Sequence, residues 1–379
     1  MHKILLIFGT RPEAIKLCPV IRGLREHPSK FNVRVCVTAQ HREMLDQVLD
    51  AFQVKPDHDL DLMLPGQTLF QSTSRILAGL EPVLRAEKPA MVIVQGDTTT
   101  TLCGALAAFY LGIPVAHVEA GLRTHDMRQP FPEEMNRVLA SHLTALHFAA
   151  TELAAQNLRH EGVAADSIHV TGNTGIDAVL FVREALDQGR LEQGALRGRE
   201  WPELDSSKKL IVVTAHRRES FGDAFERICR ALARIADRGD VQLVYPVHPN
   251  PNVQDPVQRY LATHQNVNLI APQSYVPFVD LMRRAYLLIT DSGGIQEEGP
   301  SLGKPILVLR EKTERPEAVI AGTVKLVGTD EDRIVREATV LLDDRAAYDQ
   351  MSRVHNPYGD GRASARIAGL IHSFLSAKS

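Results

Sequence analysis

Three carboxylates and one glycine pair carry most of the chemical information in this 379-residue chain. Asp97 lies in Gly96-Asp97-Thr98-Thr99-Thr100-Thr101, directly after an apolar run, and Glu119 opens Glu119-Ala120-Gly121-Leu122-Arg123 in the same way. Glu133 stands in Phe131-Pro132-Glu133-Glu134, at the start of a helical pattern. A carboxylate at the tip of an apolar strand is costly to desolvate unless it is paired or used. Singly, Asp97 and its threonines read as a helix cap, and Glu133 as a partner of a helix dipole. Together, from successive strand-helix junctions, the three suit an acid/base cluster. Far along the chain, Thr290-Asp291-Ser292-Gly293-Gly294 ends another apolar run and opens a helix. Such a start presents backbone N–H groups and partial positive charge to an anion, with no side chain at Gly293 or Gly294 to keep it away. Glu298, one turn further on, can accept hydrogen bonds from two adjacent hydroxyls such as a ribose diol. The combination describes a receptor for a nucleoside diphosphate, although an ordinary strand-to-helix turn uses the same residues.

Cations recur at other strand ends. After the first strand, Gly9-Thr10-Arg11-Pro12-Glu13 leads to Lys16. Arg11 stands at a helix start with Pro12 in the first turn, and Lys16 follows about one turn later on the same side, so both suit a phosphate or a solvated, salt-bridged face. His216, in Thr214-Ala215-His216-Arg217-Arg218, is placed for a phosphate or for proton transfer. Gln273 and Phe278 could hydrogen-bond to and stack on a flat base, with core packing as the alternative for Phe278. The sequence contains no Gly-x-Gly-x-x-Gly after a strand, no Walker-type phosphate loop and no Gly-x-Ser-x-Gly elbow. Bound dinucleotide, P-loop ATPase chemistry and acyl transfer are therefore disfavoured, and no cofactor is expected.

The elements that must position these residues are repeated β-α units. Strands are expected at 4–8, 32–38, 91–95, 115–118, 146–149 and 168–170, and again at 210–214, 242–246, 267–270, 287–290, 305–309 and 325–327. Their Val, Ile and Leu content without strict alternation points to parallel sheets buried on both faces. The expected fold class is α/β, with two doubly wound domains. The domains are placed at residues 1–172 and 173–361, and the final helix, about 362–379, is left free to pack back on the first.

Composition agrees with an enzyme: 44% apolar, 23% charged and a formal net charge of −3. That charge gives no electrostatic case for nucleic acid or an anionic membrane, and no apolar run reaches membrane-spanning length. The N-terminal run reads as a first strand rather than a signal peptide. Cys18, Cys36, Cys103 and Cys229 are widely spaced among apolar neighbours, which favours small core residues of a cytoplasmic protein over a disulfide framework or a zinc site. No metal site is expected from the histidine spacings either.

Taken in order, the motifs resemble those of the non-hydrolysing UDP-N-acetylglucosamine 2-epimerases. The likeness runs nearly end to end, through residues 8–16, 40–44, 95–101, 117–124, 131–137, 172–177, 214–219, 290–298, 302–305, 313–317 and 356–361. It implies two Rossmann-like domains facing across a cleft, as in GT-B glycosyltransferases, with the nucleotide in the cleft and a homodimer as the assembly. It implies Asp97, Glu119 and Glu133 as the acid/base set and His216 as support for the departing phosphate. Arg11, Lys16, Ser292, Gly293 and Gly294 would surround the diphosphate, Glu298 the ribose, Gln273 and Phe278 the uracil, and Arg315 would close the site. Gln40, His41 and Arg42 would belong to a second, activating site for UDP-N-acetylglucosamine. The implied reaction inverts carbon 2 of the sugar by eliminating UDP and adding it back through 2-acetamidoglucal. A UDP-sugar glycosyltransferase and a hydrolysing epimerase are the alternative enzymes. Three positions depart from the family pattern: Gln95 where histidine is expected, Ser220 for asparagine, and Gly175 for a β-branched residue.

Overall fold

The computed structural model describes residues 1–38, 42–64, 66–191 and 203–377. It divides into two compact units, Met1–Ala178 with Gly359–Ser379, and Val179–Tyr358. The first holds strands β1 (His2–Phe8), β2 (Phe31–Val37), β3 (His58–Asp59), β4 (Met91–Gln95), β5 (Val115–Val118), β6 (Leu146–Ala149) and β7 (Ile168–Val170). All pair in parallel, in the order β3-β2-β1-β4-β5-β6-β7. The second holds β8 (Lys209–Thr214), β9 (Val241–Pro246), β10 (Val267–Ile270), β11 (Leu287–Thr290), β12 (Ile306–Val308) and β13 (Val324–Leu326). These too are parallel, in the order β10-β9-β8-β11-β12-β13. Both units are Rossmann-like, and the architecture is GT-B-like.

The strand runs fold this way because helices cover both faces of each sheet. Ile4, Leu5, Leu6, Ile7 and Phe8 are all fully buried, so side chains pointing either way from β1 leave water. Hydroxyl caps start the intervening helices. Thr10, Thr68, Thr98 and Thr151 each accept a hydrogen bond from an N–H in the first turn of the helix that follows. The expected strands agree with the observed ones to within two residues. The exception is β3, whose two residues are too short to leave a periodic trace in the sequence. The terminal helix Ala363–Ser376 packs beside the helix Arg11–Arg25. The Asp177 carboxylate secures its start by accepting from the N–H groups of Ala363 (3.2 Å) and Ser364 (2.8 Å).

In each sheet the chain order reverses beside the first strand, between β1 and β4 and between β8 and β11. Loops diverge there beyond the carboxyl ends of the strands and leave room for a ligand. Gly9, directly after β1, meets the tightest packing of these loops. A Cβ at this position would lie 2.1 Å from Thr38 Oγ1 and 2.8 Å from Thr100 Oγ1. Those two hydroxyls are themselves hydrogen-bonded at 3.0 Å. Gly9→Ala is therefore expected to cost about 1–3 kcal/mol by overpacking. Urea unfolding monitored by circular dichroism checks this, and an unchanged midpoint would show that the loop yields freely.

Candidate functional site

In the first unit, the loops after β1, β4 and β5 bring the sequence-derived candidates together. Their common fastening is Glu13, which is 1% exposed. Its Oε2 accepts from Gly9 N (3.1 Å), Thr10 N (2.7 Å) and Thr10 Oγ1 (2.7 Å), while Oε1 accepts from Thr98 Oγ1 (2.7 Å). One carboxylate thus ties the loop after β1 to the loop after β4. Burial pushes its pKa up, and the hydroxyl and N–H donors pull against that.

Asp97 and Glu119 stand in different surroundings. Glu119 has a left-handed backbone, φ 65°, a strained conformation for a residue with a side chain. One carboxylate oxygen takes Lys16 Nζ and the other takes the amide of buried Gln95. The departure at Gln95 is thus a neutral donor that holds Glu119 from beneath. Asp97 pairs through Oδ2 with Arg137 Nη1 at 3.1 Å, and its backbone carbonyl accepts from Asn136 Nδ2 at 2.9 Å. Burial holds the Asp97 pKa above the ordinary carboxylate value. Arg137 and Lys16 draw it down, while Glu119 and Glu133 push it up. Thr98, not Asp97, caps the next helix.

The Glu133-Glu134 doublet divides its labour. Glu134 is 1% exposed and accepts from Thr124 N (3.0 Å), His125 N (2.9 Å) and Arg137 Nε (2.6 Å). Burial raises its pKa, but Arg137 and the two N–H bonds outweigh burial and leave it below the usual value. Glu133 is half-buried, and its side chain makes no hydrogen bond or ion pair among the described residues. Arg11 is half-buried at the first position of its helix. Gly175 N donates to Asn173 Oδ1 at 2.8 Å, and a Cβ on Gly175 would lie 3.8 Å from the Lys16 stem.

The second unit fastens its loops with Asp291, also 1% exposed. Asp291 Oδ2 accepts from His216 N (2.6 Å) and Arg217 N (2.7 Å), which joins the loop after β11 to the loop after β8. The hydroxyls of Thr214 and Thr290 bond side by side at 2.6 Å beneath it. The His216 ring is partly exposed and stacks on His248, with ring centres 5.4 Å apart. Burial lowers its pKa, opposed by Asp291 and reinforced by His248 and Arg217.

Ser292 precedes the short helix Gly293–Glu298 without capping it. Gly293 and Gly294 adopt ordinary helical backbone. What glycine provides at 293 is a bare surface, because the Arg315 guanidinium carbon lies 3.5 Å from where a Cβ would be. Arg315 Nε donates to Glu297, which is 5% exposed, while its neighbour Glu298 is half-buried. Gln273 donates through Nε2 to Ala271 O at 2.8 Å, and its buried Oε1 has no partner among the described residues; Phe278 is half-buried on the helix Tyr275–Arg284. Ser220 is buried at the end of a short 3-10 turn. Gln40 and His41 lie outside the described residues, and of Arg42 the structure describes only the backbone, which starts the helix Arg42–Ala51. Among the described residues no cluster of His, Cys, Asp and Glu has the makings of a metal site.

Sequence reasoning missed Glu13, Glu134, Asn136, Arg137 and Asp291 as organisers of the site. Only Glu13 left a local signal, since Thr10-x-x-Glu13 has the form of a capping box. The others depend on partners brought close by the sheet.

Two carboxylates in contrasting surroundings thus stand beside a lysine and an arginine on one Rossmann-like unit. The second unit carries its glycine pair, Gly293-Gly294, at the start of a short helix. The sequence profile described as UDP-N-acetylglucosamine 2-epimerase matches residues 22–372, and the chain belongs to that family. It is 59% identical over 369 residues to the UDP-N-acetylglucosamine 2-epimerase of Escherichia coli K12, covering 96% of this chain and 97% of that one. It is 57% identical over 373 residues to the enzyme of the same name from Salmonella typhimurium, covering 98% and 99%. The crystal structure of the Neisseria meningitidis UDP-GlcNAc 2-epimerase bound to UDP-GlcNAc matches with TM-score 0.86 at 48% identity, covering 98% of this chain and all of that one.

His117 underlies the loop that carries Asp97. Fully buried on β5, its Nε2–H donates to Gly96 O at 2.7 Å, just before Asp97. Burial depresses its pKa to about 3, so folding favours the neutral ring. The folded state then binds fewer protons than the unfolded state below the ordinary histidine pKa. Stability is complete above about pH 6.5 and falls as the pH drops towards 3, with a slope of up to about 1.4 kcal/mol per pH unit for this one proton. In His117→Gln, which keeps an N–H for Gly96, urea unfolding at pH 7 and pH 5.5 should show a shallower loss than in the native protein. Equal losses would remove His117 from this account.

Proposed function

We propose that this protein interconverts UDP-N-acetylglucosamine and UDP-N-acetylmannosamine by eliminating UDP and adding it back, without net hydrolysis. The observation that carries the reading is the contrast between Asp97, paired to Arg137, and Glu119, held by Lys16 and Gln95. The hydrogen on carbon 2 of this sugar is not acidic, because no carbonyl stands beside that carbon. Its inversion requires oxidation or elimination, and the chain has no dinucleotide fingerprint. In the elimination, a carboxylate takes the carbon 2 proton and the C–H electron pair becomes the C1=C2 bond. The C1–O pair departs on the β-phosphate of UDP. A proton delivered to the other face of carbon 2, as the UDP oxygen returns to carbon 1, gives the epimer.

Asp97, Glu119 and Glu133 supply the acid and base. His216, Arg11, Ser292 and the Gly293-Gly294 backbone receive the diphosphate charge, with Lys16 as a further cation. Glu298 takes the ribose diol, Gln273 and Phe278 the uracil, and Arg315 closes over the loop. Gln40, His41 and Arg42 form the second, activating site, for which sigmoidal forward kinetics are the test. The protein acts in the cytoplasm; none of its described helices is long and apolar enough to cross a membrane.

The direct experiment follows UDP-N-acetylglucosamine in heavy water by proton and phosphorus NMR. UDP-N-acetylmannosamine with deuterium at carbon 2 is expected. Accumulating UDP and free N-acetylmannosamine would instead make the enzyme a hydrolase. Turnover only with an added acceptor would make it a transferase, and binding alone a sensor. Asp97→Asn should slow epimerisation at least about a hundredfold, and near-normal turnover in a folded variant would remove Asp97 from the acid/base set.

The same reading includes a homodimer. The helices Leu69–Glu87, Thr99–Tyr110 and Glu133–Leu143 pack side by side and leave Phe70 88%, Tyr110 72% and Phe109 57% exposed. Phe109 and Tyr110, adjacent and exposed at one helix end, suit an association surface. Sedimentation should give a dimer that Tyr110→Asp weakens; a native monomer at micromolar concentration would exclude it.

A further inference from the structure

The acid/base reading leaves open what sets the starting charge of Asp97. Arg137 lies on the helix Glu133–Leu143, and its guanidinium is 5% exposed. It reaches Asp97 Oδ2 at 3.1 Å through Nη1 and Glu134 Oε2 at 2.6 Å through both Nε and Nη2. Glu134 is itself fixed by the N–H groups of Thr124 and His125. One residue earlier, Asn136 holds the Asp97 carbonyl at 2.9 Å. A single helix turn therefore grips Asp97 by backbone and side chain, and Glu134 keeps the grip from rotating.

The charges facing Asp97 come from three places: Lys16 on the helix Arg11–Arg25, Glu119 after β5, and Arg137 with Glu133 on the third element. Lys16 is engaged by Glu119. Glu134 is not a competitor for protons, because its donors hold it ionised. Arg137 is thus the cation committed to Asp97. We infer that Arg137 is a positioning residue for the reaction, fixing Asp97 and favouring its charged form against burial so that Asp97 enters the cycle as the proton acceptor. This inference rests on the epimerase reading above and goes further by giving Asp97 one of the two roles and naming the residue that assigns it.

The test is the pH profile of kcat/KM for the native enzyme, Arg137→Lys and Arg137→Met. Without this cation, burial and the neighbouring carboxylates are opposed by Lys16 alone, and the acid limb should move up by about one pH unit. Activity on that limb then falls about tenfold, recovering at alkaline pH, while Arg137→Lys keeps the limb near its native position. A purely structural role would lower activity equally at every pH and leave the limb in place. Since stranding Glu134 can unfold Arg137→Met, the double variant Arg137→Met with Glu134→Gln is measured beside it. Glutamine still accepts from Thr124 and His125 without a buried charge. An unshifted limb in either folded variant overturns the inference. Asp97→Asn separates the two levels: if it is inactive and the limb does not move, only the role of Arg137 fails, whereas full activity defeats the underlying reading.

Discussion

A buried carboxylate that sews two loops together is the constraint on which each unit depends. At the point where a doubly wound sheet reverses its order, the loops after its first and fourth strands diverge. Nothing in strand pairing fixes their separation. In the first unit Glu13 supplies the tie from the first of these loops, accepting from Gly9 and Thr10 on its own side and Thr98 on the other. In the second, Asp291 supplies it from the fourth strand, accepting from His216 and Arg217. Each is 1% exposed. Desolvating a carboxylate costs several kcal/mol unless donors offset it; Glu13 accepts on both oxygens, whereas Asp291 accepts on Oδ2 and has the His216 ring 3.5 Å from Oδ1. The donors here are mostly backbone N–H groups, which would themselves be orphaned if the carboxylate were absent. Loop and carboxylate therefore hold each other in one arrangement, and the functional side chains inherit it.

Paired glutamates show a related division. In Glu133-Glu134 the second member is buried against Arg137; in Glu297-Glu298 the first is buried against Arg315. Successive helical residues point about 100° apart, so a doublet at a helix end sends one carboxylate inward and keeps the other near the surface. The inward member anchors an arginine and the other is left to the half-buried margin. The arginine then reaches from the anchor to the site, to Asp97 in one case and over Gly293 in the other.

Nearly all of the fold was legible in the sequence, because helix-covered parallel strands need unbroken apolar runs and threonine caps mark where the helices begin. The candidate site was legible by composition more than by contact. Asp97, Glu119 and Glu133 stood out as acids at strand or helix ends, and the glycine pair as a bare helix start. What the sequence did not disclose was which groups touch. Lys16 and Glu119 are 103 positions apart, and Thr98 and Glu13 are 85. Those contacts follow from β1 lying between β2 and β4, a consequence of sheet order that no local spacing encodes. The same blindness hid Asp291, which reads as one more polar residue in an anion loop and turns out to be its fastening.

The two principal acids are also separated by the kind of support each receives. Glu119 accepts a neutral amide from Gln95 and a flexible ammonium from Lys16, on a backbone held at positive φ. Asp97 faces a rigid guanidinium, itself pinned by Glu134, and its loop rests on a neutral histidine beneath Gly96. The reaction proposed above removes a proton from one face of a carbon and returns one to the other, which calls for two acid/base groups on opposite faces. Like surroundings would leave two carboxylates with nothing to divide their roles. The fold avoids that by drawing their partners from different elements: the helix after β1 and the end of β4 for Glu119, and the helix after β5 for Asp97. Strand order at the reversal point thus does more than open a space, because it delivers unlike partners to like acids.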